Sequence, residues 1–354
     1  MEFGISCSKV DDVGLVAHAE NLGYDYCWAT DSPMLRSNPW AVLALAAART
    51  QTMRLGMGVA VPGLRVAPDT ANGIATINRL APGRTFLGVG TGNTAMRTLG
   101  RTPIRIKPYG DFLRIVRLLL NGEEADFPTD GVPHPVRFQN LHLNYIDVEH
   151  YIPMYVGGFG PRAQALAGEV GDGLITGIPR GGSIPQALAN VQRGAERVER
   201  TLGDFHTSAL VNLLMLDIGE TLRSERVVNE IGSSIMANVH YLLERYKETG
   251  DDPPAYVLPI WDEYLAFHKT RESQRSHQKL HESHYSYLDP DEARFVTPEI
   301  IETFAIAGQP EELVEKLRVL ESQGLNAVSF IPRDEDKYRL YENFAHKVIA
   351  RMKA

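Results

Sequence analysis

The most constraining feature of this chain is a repeated alternation. Short runs rich in Val, Ile and Leu are each followed by a longer amphipathic stretch, the pattern of buried parallel strands covered by helices. Eight such runs occur: Glu2–Cys7, Asp25–Thr30, Arg54–Val61, Arg84–Gly90, Pro153–Gly157, Gly173–Thr176, Ser208–Leu216 and Ala327–Ile331. Helical patterns follow most of them, over Val10–Leu22, Asn38–Thr50, Pro68–Leu80, Pro108–Leu120, Pro161–Val170, Ile184–Leu202 and Asp334–Met352. Eight βα units predict an α/β fold, the closed (β/α)8 TIM barrel, with an open doubly wound sheet as the alternative.

Two regions interrupt the spacing. Residues 123–151, rich in Pro, His and Asn, predict a loop with a short β excursion at Val136–Leu143. Between strands seven and eight lies a long, mostly helical insertion, about residues 220–308, expected over the barrel mouth. It precedes Gly308-Gln-Pro-Glu-Glu, where Pro310 and the acidic pair suit a helix start. No internal repeat or composition shift marks a second domain, so residues 1–354 read as a single barrel domain.

Composition excludes several classes. The longest unbroken apolar stretch, Ala41–Ala48, is far short of the roughly 20 residues that a membrane-spanning helix needs. The net charge is −8 with Lys and Arg scattered, so neither a membrane nor a nucleic-acid partner is expected. The N-terminus lacks the pattern of a secretory signal, so a cytoplasmic location is expected. Cys7 and Cys27 form no metal-binding spacing and read as buried thiols.

Function in a barrel gathers at the C-terminal strand ends, and here these ends are rich in glycine. Strand four ends in Gly88-Val-Gly-Thr-Gly-Asn93, including Gly90, Thr91, Gly92 and Asn93; strand five ends in Gly157-Gly-Phe-Gly, including Gly158, Phe159 and Gly160, and opens into a helix. Such turns suit a phosphate cradle, or merely tight βα connections. Strand three carries glycines at 56 and 58, the mark of a bulge or a close backbone approach. Asp31 and Ser32, after strand two, either orient a ligand or cap the next helix.

Other side chains have two readings each. His240, in an otherwise apolar helix of the insertion, is either a packed histidine or an acid lining the mouth. Lys107 and Tyr109 either reach the mouth or sit at a solvated loop end, and Trp28 and Trp40 read as core or pocket wall. His277, His281 and His284 have helical spacing, but their polar surroundings favour a solvated helix or lid, so no metal site is expected.

Six segments stand out in order: Ala19-Glu-Asn-Leu-Gly-Tyr-Asp-Tyr-Cys-Trp-Ala-Thr-Asp31, Leu55-Gly-Met-Gly-Val59, Leu80-Ala-Pro-Gly-Arg-Thr-Phe-Leu-Gly-Val-Gly-Thr-Gly92, Ile152-Pro-Met-Tyr-Val-Gly-Gly-Phe-Gly-Pro161, Ala167-Gly-Glu-Val-Gly-Asp-Gly-Leu174 and Ala307-Gly-Gln-Pro-Glu-Glu-Leu313. Taken together they resemble the bacterial luciferase-like family of flavin- and deazaflavin-dependent oxidoreductases, and especially its methylenetetrahydromethanopterin reductase branch. The resemblance implies a homodimeric barrel holding an isoalloxazine or deazaflavin ring across the strand ends. A bulge at Gly58, Val59 and Ala60, commonly with a non-proline cis peptide in this family, would back the ring. Gly90 to Asn93 would line its edge, and Gly157 to Gly160 with Thr176 and Gly177 would take the phosphate.

Many deazaflavin-dependent relatives carry Asp-His after strand two, and sugar-phosphate dehydrogenases add an acid in the strand-four loop. This chain has Ser32 and Asn93 there. Absence of that acid–base pair disfavours alcohol oxidation. The first expectation is therefore a monooxygenase using O2 and reduced FMN, supplied by a separate flavin reductase, on a small organic substrate. Hydride exchange with a deazaflavin is the alternative, and a non-catalytic flavin-binding protein the third reading. Asp31, Ser32, Asn93 and His240 are the candidate catalytic residues.

Overall fold

The computed structural model describes residues 1–178 and 182–354. Its strands are β1 (Glu2–Cys7), β2 (Tyr26–Ala29), β3 (Arg54–Ala60), β4 (Thr85–Val89), β5 (Ala125–Thr129), β6 (Val132–Val136), β7 (Met154–Gly157), β8 (Gly173–Gly177), β9 (His206–Leu210), β10 (Asn212–Met215), β11 (Ala305–Gly308) and β12 (Ala327–Ser329). Eight of them close a parallel barrel in the order β1-β12-β9-β8-β7-β4-β3-β2. The TIM-barrel expectation therefore holds, and all eight predicted runs contribute a barrel strand.

The covering helices are α1 (Val13–Asn21), α2 (Pro39–Ala47), α3 (Ala67–Leu80), the short α4 (Asn93–Arg97), α5 (Ile106–Leu120), α6 (Pro161–Val170) and α7 (Ile184–Arg197). The insertion contains α8 (Glu225–Thr249), α9 (Leu258–Thr270), α10 (Ser276–Lys279) and α11 (Pro298–Phe304). Then come α12 (Pro310–Ser322) and α13 (Lys337–Phe344). Pro310 opens α12 as expected, and Gln309 and Glu312 form a capping box around it.

Two local predictions are corrected. Ser208–Leu216 is not one strand. The chain leaves the barrel at Val211, and β10 pairs in parallel with β11, at the far end of the insertion. The β excursion lies earlier than Val136–Leu143, as an antiparallel hairpin of β5 and β6. Its two-residue turn is Asp130-Gly131, both at positive φ (51° and 81°), the geometry of a twisted hairpin turn.

Apolar side chains between strands and outer helices form the main core, and the insertion has a separate one around Ile235, Val239, Trp261 and Phe304. The barrel interior is plugged by aromatic rings. Tyr26, Trp28, Phe86, Tyr155 and His206 contact one another with centroids 4.5–6.4 Å apart. Outside it, α6 and α7 pack through glycines: a Cβ on Gly168 would lie 1.9 Å from the Val191 carbonyl oxygen, and one on Gly194 1.8 Å from that of Ala165. Both cysteines are free and buried. Among the described residues, no helix is long and apolar enough to cross a membrane.

Candidate active site

Above the aromatic plug, the C-terminal strand ends open onto a cavity of about 460 Å³. Trp28 forms part of its floor, tight against the backbone, since a Cβ on Gly58 would meet the indole at 2.9 Å. The β3–β4 register runs Met57↔Leu87 and then Ala60↔Val89, so β3 spends one residue more than β4 and bulges at Gly58-Val59. The Gly58–Val59 peptide is cis. Both residues line the cavity, as do Gly90, Thr91, Gly92 and Asn93 at the end of β4. Gly90 lies so close to the bulge that a Cβ would sit 2.5 Å from Val59 Cγ2.

The adjoining wall is the turn Gly157, Gly158, Phe159 and Gly160, which follows the neighbouring strand β7 and leads into α6 without a side-chain cap. That leaves a helix N-terminus beside the cavity, where an anion is favoured. Thr176 lines the same wall, yet its Oγ1 is buried and has no hydrogen-bond partner. A buried hydroxyl is normally paired, so this one fits an absent acceptor. Tyr109 joins the two walls from below. Its phenol, kept neutral by a pKa that burial raises, donates to the Val89 carbonyl (2.6 Å) and accepts from the Gly157 N–H (3.1 Å).

The roof is one face of α8, where Tyr241, Arg245 and Glu248 are spaced to point the same way and all line the cavity. Glu248 accepts both Arg97 amino groups at 2.8 and 2.9 Å, and Arg97 Nε also reaches Asn93 Oδ1 (2.7 Å) and Glu244 (3.0 Å). Among the described residues lining the cavity, Arg97, Tyr241, Arg245 and Glu248 are the ionisable ones, and none is a histidine. An apolar floor, backbone-lined turns and a helix N-terminus can hold a flat ring and an anion. The roof adds a charged but internally paired rim.

Of the residues expected at the site, Gly58, Val59, Gly90, Thr91, Gly92, Asn93, Gly157, Gly158, Phe159, Gly160 and Thr176 come together around this cavity. Ala60 and Gly177 lie just behind it: Ala60 is buried in the ladder beside Val89, and a Cβ on Gly177 would meet the Phe159 ring at 2.9 Å. At the end of strand two, Trp28 and Thr30 line the cavity but Asp31 does not. Asp31 forms a buried ion pair with Arg65, and burial raises its pKa while Arg65 opposes that rise. Ser32 is not part of the lining; its carbonyl accepts from Leu35 and Arg36.

His240 does not line the mouth, so that reading is corrected. It is buried inside the insertion with Nε2 2.9 Å from Glu292. Lys107 is exposed and pairs with Asp111, whereas Tyr109 is the brace described above. Trp40 packs on α3, where a Cβ on Gly73 would meet it at 2.6 Å. The histidines of the polar segment share no face: His277 is exposed, His281 is buried on Glu244 (2.8 Å) and His284 contacts Thr94 (3.2 Å). Sequence reading missed Arg65, Arg97, Tyr241, Arg245 and Glu248. The spacing of the last three along one helix face was the available signal.

The class of protein comes from comparison of this barrel, with its glycine-lined cavity at the strand ends, with known proteins. The family model described as luciferase-like monooxygenase matches residues 11–327, and the chain belongs to that family as an oxidoreductase. It is 26% identical over 343 residues to a 5,10-methylenetetrahydromethanopterin reductase of Archaeoglobus fulgidus, covering 95% of this chain and 93% of that one. It is also 26% identical over 332 residues to an F420-dependent glucose-6-phosphate dehydrogenase of Segniliparus rotundus, covering 89% and 84%. The fold matches the coenzyme F420-dependent tetrahydromethanopterin reductase of Methanopyrus kandleri with a TM-score of 0.69 at 21% identity, over 99% of both chains.

Proposed function

We propose that this chain is a deazaflavin-dependent oxidoreductase that passes hydride to a small organic substrate in the barrel-mouth cavity. The observation that carries the reading is the nearly full-length likeness to reductases and F420-dependent dehydrogenases. It favours the deazaflavin over the reduced-FMN and O2 chemistry that the missing acid–base pair had put first.

The cavity fits such a group. Trp28 and the Gly58-Val59 bulge would back the ring, and Gly90 to Asn93 would line its edge. The Gly157 to Gly160 turn, the start of α6 and the unpartnered Thr176 hydroxyl would take the phosphate. A bound deazaflavin carries two electrons as hydride. The chain's part is to hold donor and acceptor carbons face to face and keep water out.

No histidine lines the cavity among the described residues, and the one lining carboxylate, Glu248, is held by Arg97. That set suits an acceptor already electron-poor, such as a C=N or activated C=C carbon, which takes hydride without a base removing a hydroxyl proton. The test is titration of the purified chain with F420 and with FMN, followed by turnover of reduced F420. Quenching of F420 fluorescence at least tenfold tighter than FMN uptake is expected. Binding of reduced FMN alone, with oxygen consumption and an oxygenated product, would replace this reading with the monooxygenase one.

A further inference from the structure

The insertion holds a second convergence of polar side chains that the barrel-mouth cavity does not use. His240 on α8, His268 on α9 and Glu292, just before the Ala293–Phe295 turn, each offer one ligand atom, and these atoms lie within 4.8 Å of one another. His240 Nε2 is 2.9 and 3.1 Å from the two Glu292 carboxylate oxygens, and His268 Nε2 is 3.5 Å from Oε1. The side chains of His240, Glu292 and His268 are only 2%, 5% and 13% exposed. His268 Nε2 is nevertheless buried with no hydrogen bond.

A tetrahedral Zn2+ with bonds of about 2.1 Å to nitrogen and oxygen places its ligand atoms about 3.4 Å apart. The His240–Glu292 and His268–Glu292 separations of 2.9 and 3.5 Å bracket that spacing. Among the described residues, the ion pairs of Glu292 are with these two imidazoles, so a cation here displaces no lysine or arginine. Two imidazoles and one carboxylate are a donor set suited to divalent first-row transition metals.

We propose that His240, His268 and Glu292 bind one such ion, Zn2+, in the insertion. A cavity of about 730 Å³ reaches His268 and Glu292, leaving a fourth position for water or a small ligand. None of the three residues lines the barrel-mouth cavity, so the site is independent of the cofactor's identity. Its ligands come from α8, α9 and the segment before α11, and a bound ion clamps these three stretches of the roof together. The open position makes the ion removable by chelators.

The full chain is stripped with EDTA, reloaded with Zn2+ or Co2+, desalted and measured by metal analysis, visible absorption and thermal melting. The expected result is about one equivalent of Zn2+ per chain, a tetrahedral Co2+ spectrum, and a melting temperature about 4 °C higher at a hundredfold excess over Kd. His268→Ala, at the least buried ligand, loses the ion and the shift, whereas His277→Ala, at an exposed histidine, keeps both. If His268→Ala does not fold, Glu292→Gln takes its place. Less than about 0.1 equivalent in the parent chain, no response of its melting to Zn2+, or full loading of the ligand variant overturns the proposal.

Discussion

Thr176→Val tests the proposed phosphate wall with two effects of opposite sign. Thr176 Oγ1 is buried without a partner, and the residue faces the cavity beside the Gly157 to Gly160 turn. Valine replaces the hydroxyl by a methyl of similar size, so packing is nearly preserved. Without cofactor, removing an unsatisfied buried hydroxyl is expected to recover part of a cost of about 1–3 kcal/mol. Unfolding entropy of about 2.1 cal/mol/K per residue over 354 residues is about 0.74 kcal/mol/K, so that gain raises Tm by up to about 1–4 °C. With cofactor, the lost bond to a charged phosphate is worth about 1.5–3 kcal/mol, or roughly 10- to 150-fold in Kd. Fluorescence titration with F420 and melts of the cofactor-free chain read both effects. A Kd within twofold of the parent's, together with an unchanged melt, would refute the reasoning.

Two further substitutions probe the frame. Arg65→Met strips the buried Asp31 carboxylate of its counter-charge and is expected to cost about 3–5 kcal/mol at neutral pH. Burial holds the folded pKa of Asp31 above its unfolded value, so the cost is greatest when the carboxylate is ionised and is relieved as acid protonates it. The Tm gap to the parent, measured across pH, should narrow on acidification; a gap that widens would show that Asp31 is not the source. Gly194→Ala places a Cβ 1.8 Å from the Ala165 carbonyl, so α6 and α7 must part. The helix-propensity gain of about 1 kcal/mol is outweighed by about 1–3 kcal/mol or more of overpacking, and because α6 starts at the Gly160 turn, F420 binding should weaken too. A variant that melts no lower than its parent contradicts that account.

The barrel was legible because fully buried parallel strands read as continuous apolar runs, as in Thr85–Val89, where every residue is buried. The bulge was legible because Gly56 and Gly58 sit where a strand prefers bulk. The β5–β6 hairpin was misplaced although Asp130-Gly131 is a strong turn signal, because Pro128, Pro133 and Pro135 argue against flanking strands. The β10–β11 pair joins four-residue segments about 90 residues apart, which no local pattern announces. His240 and Tyr241 show the limit for side chains: neighbours on one helix, one turns inward to Glu292 and the other faces the cavity. Periodicity separates these faces but does not say what each one meets.

The Tyr109 phenol gives the molecule a fixed internal gauge. The residue belongs to α5, outside the barrel, yet its oxygen pins the ends of β4 and β7, from which the two glycine turns begin. The distance between those turns is therefore set by the β4–β7 ladder, which runs to Val89↔Val156, and by the phenol that braces its end, and not by the slack of the loops that follow. Drift in the insertion's sequence can change what is admitted from above while the interval between the two walls stays constant. On the proposed function, selectivity and coenzyme geometry would then be inherited through different stretches of the chain.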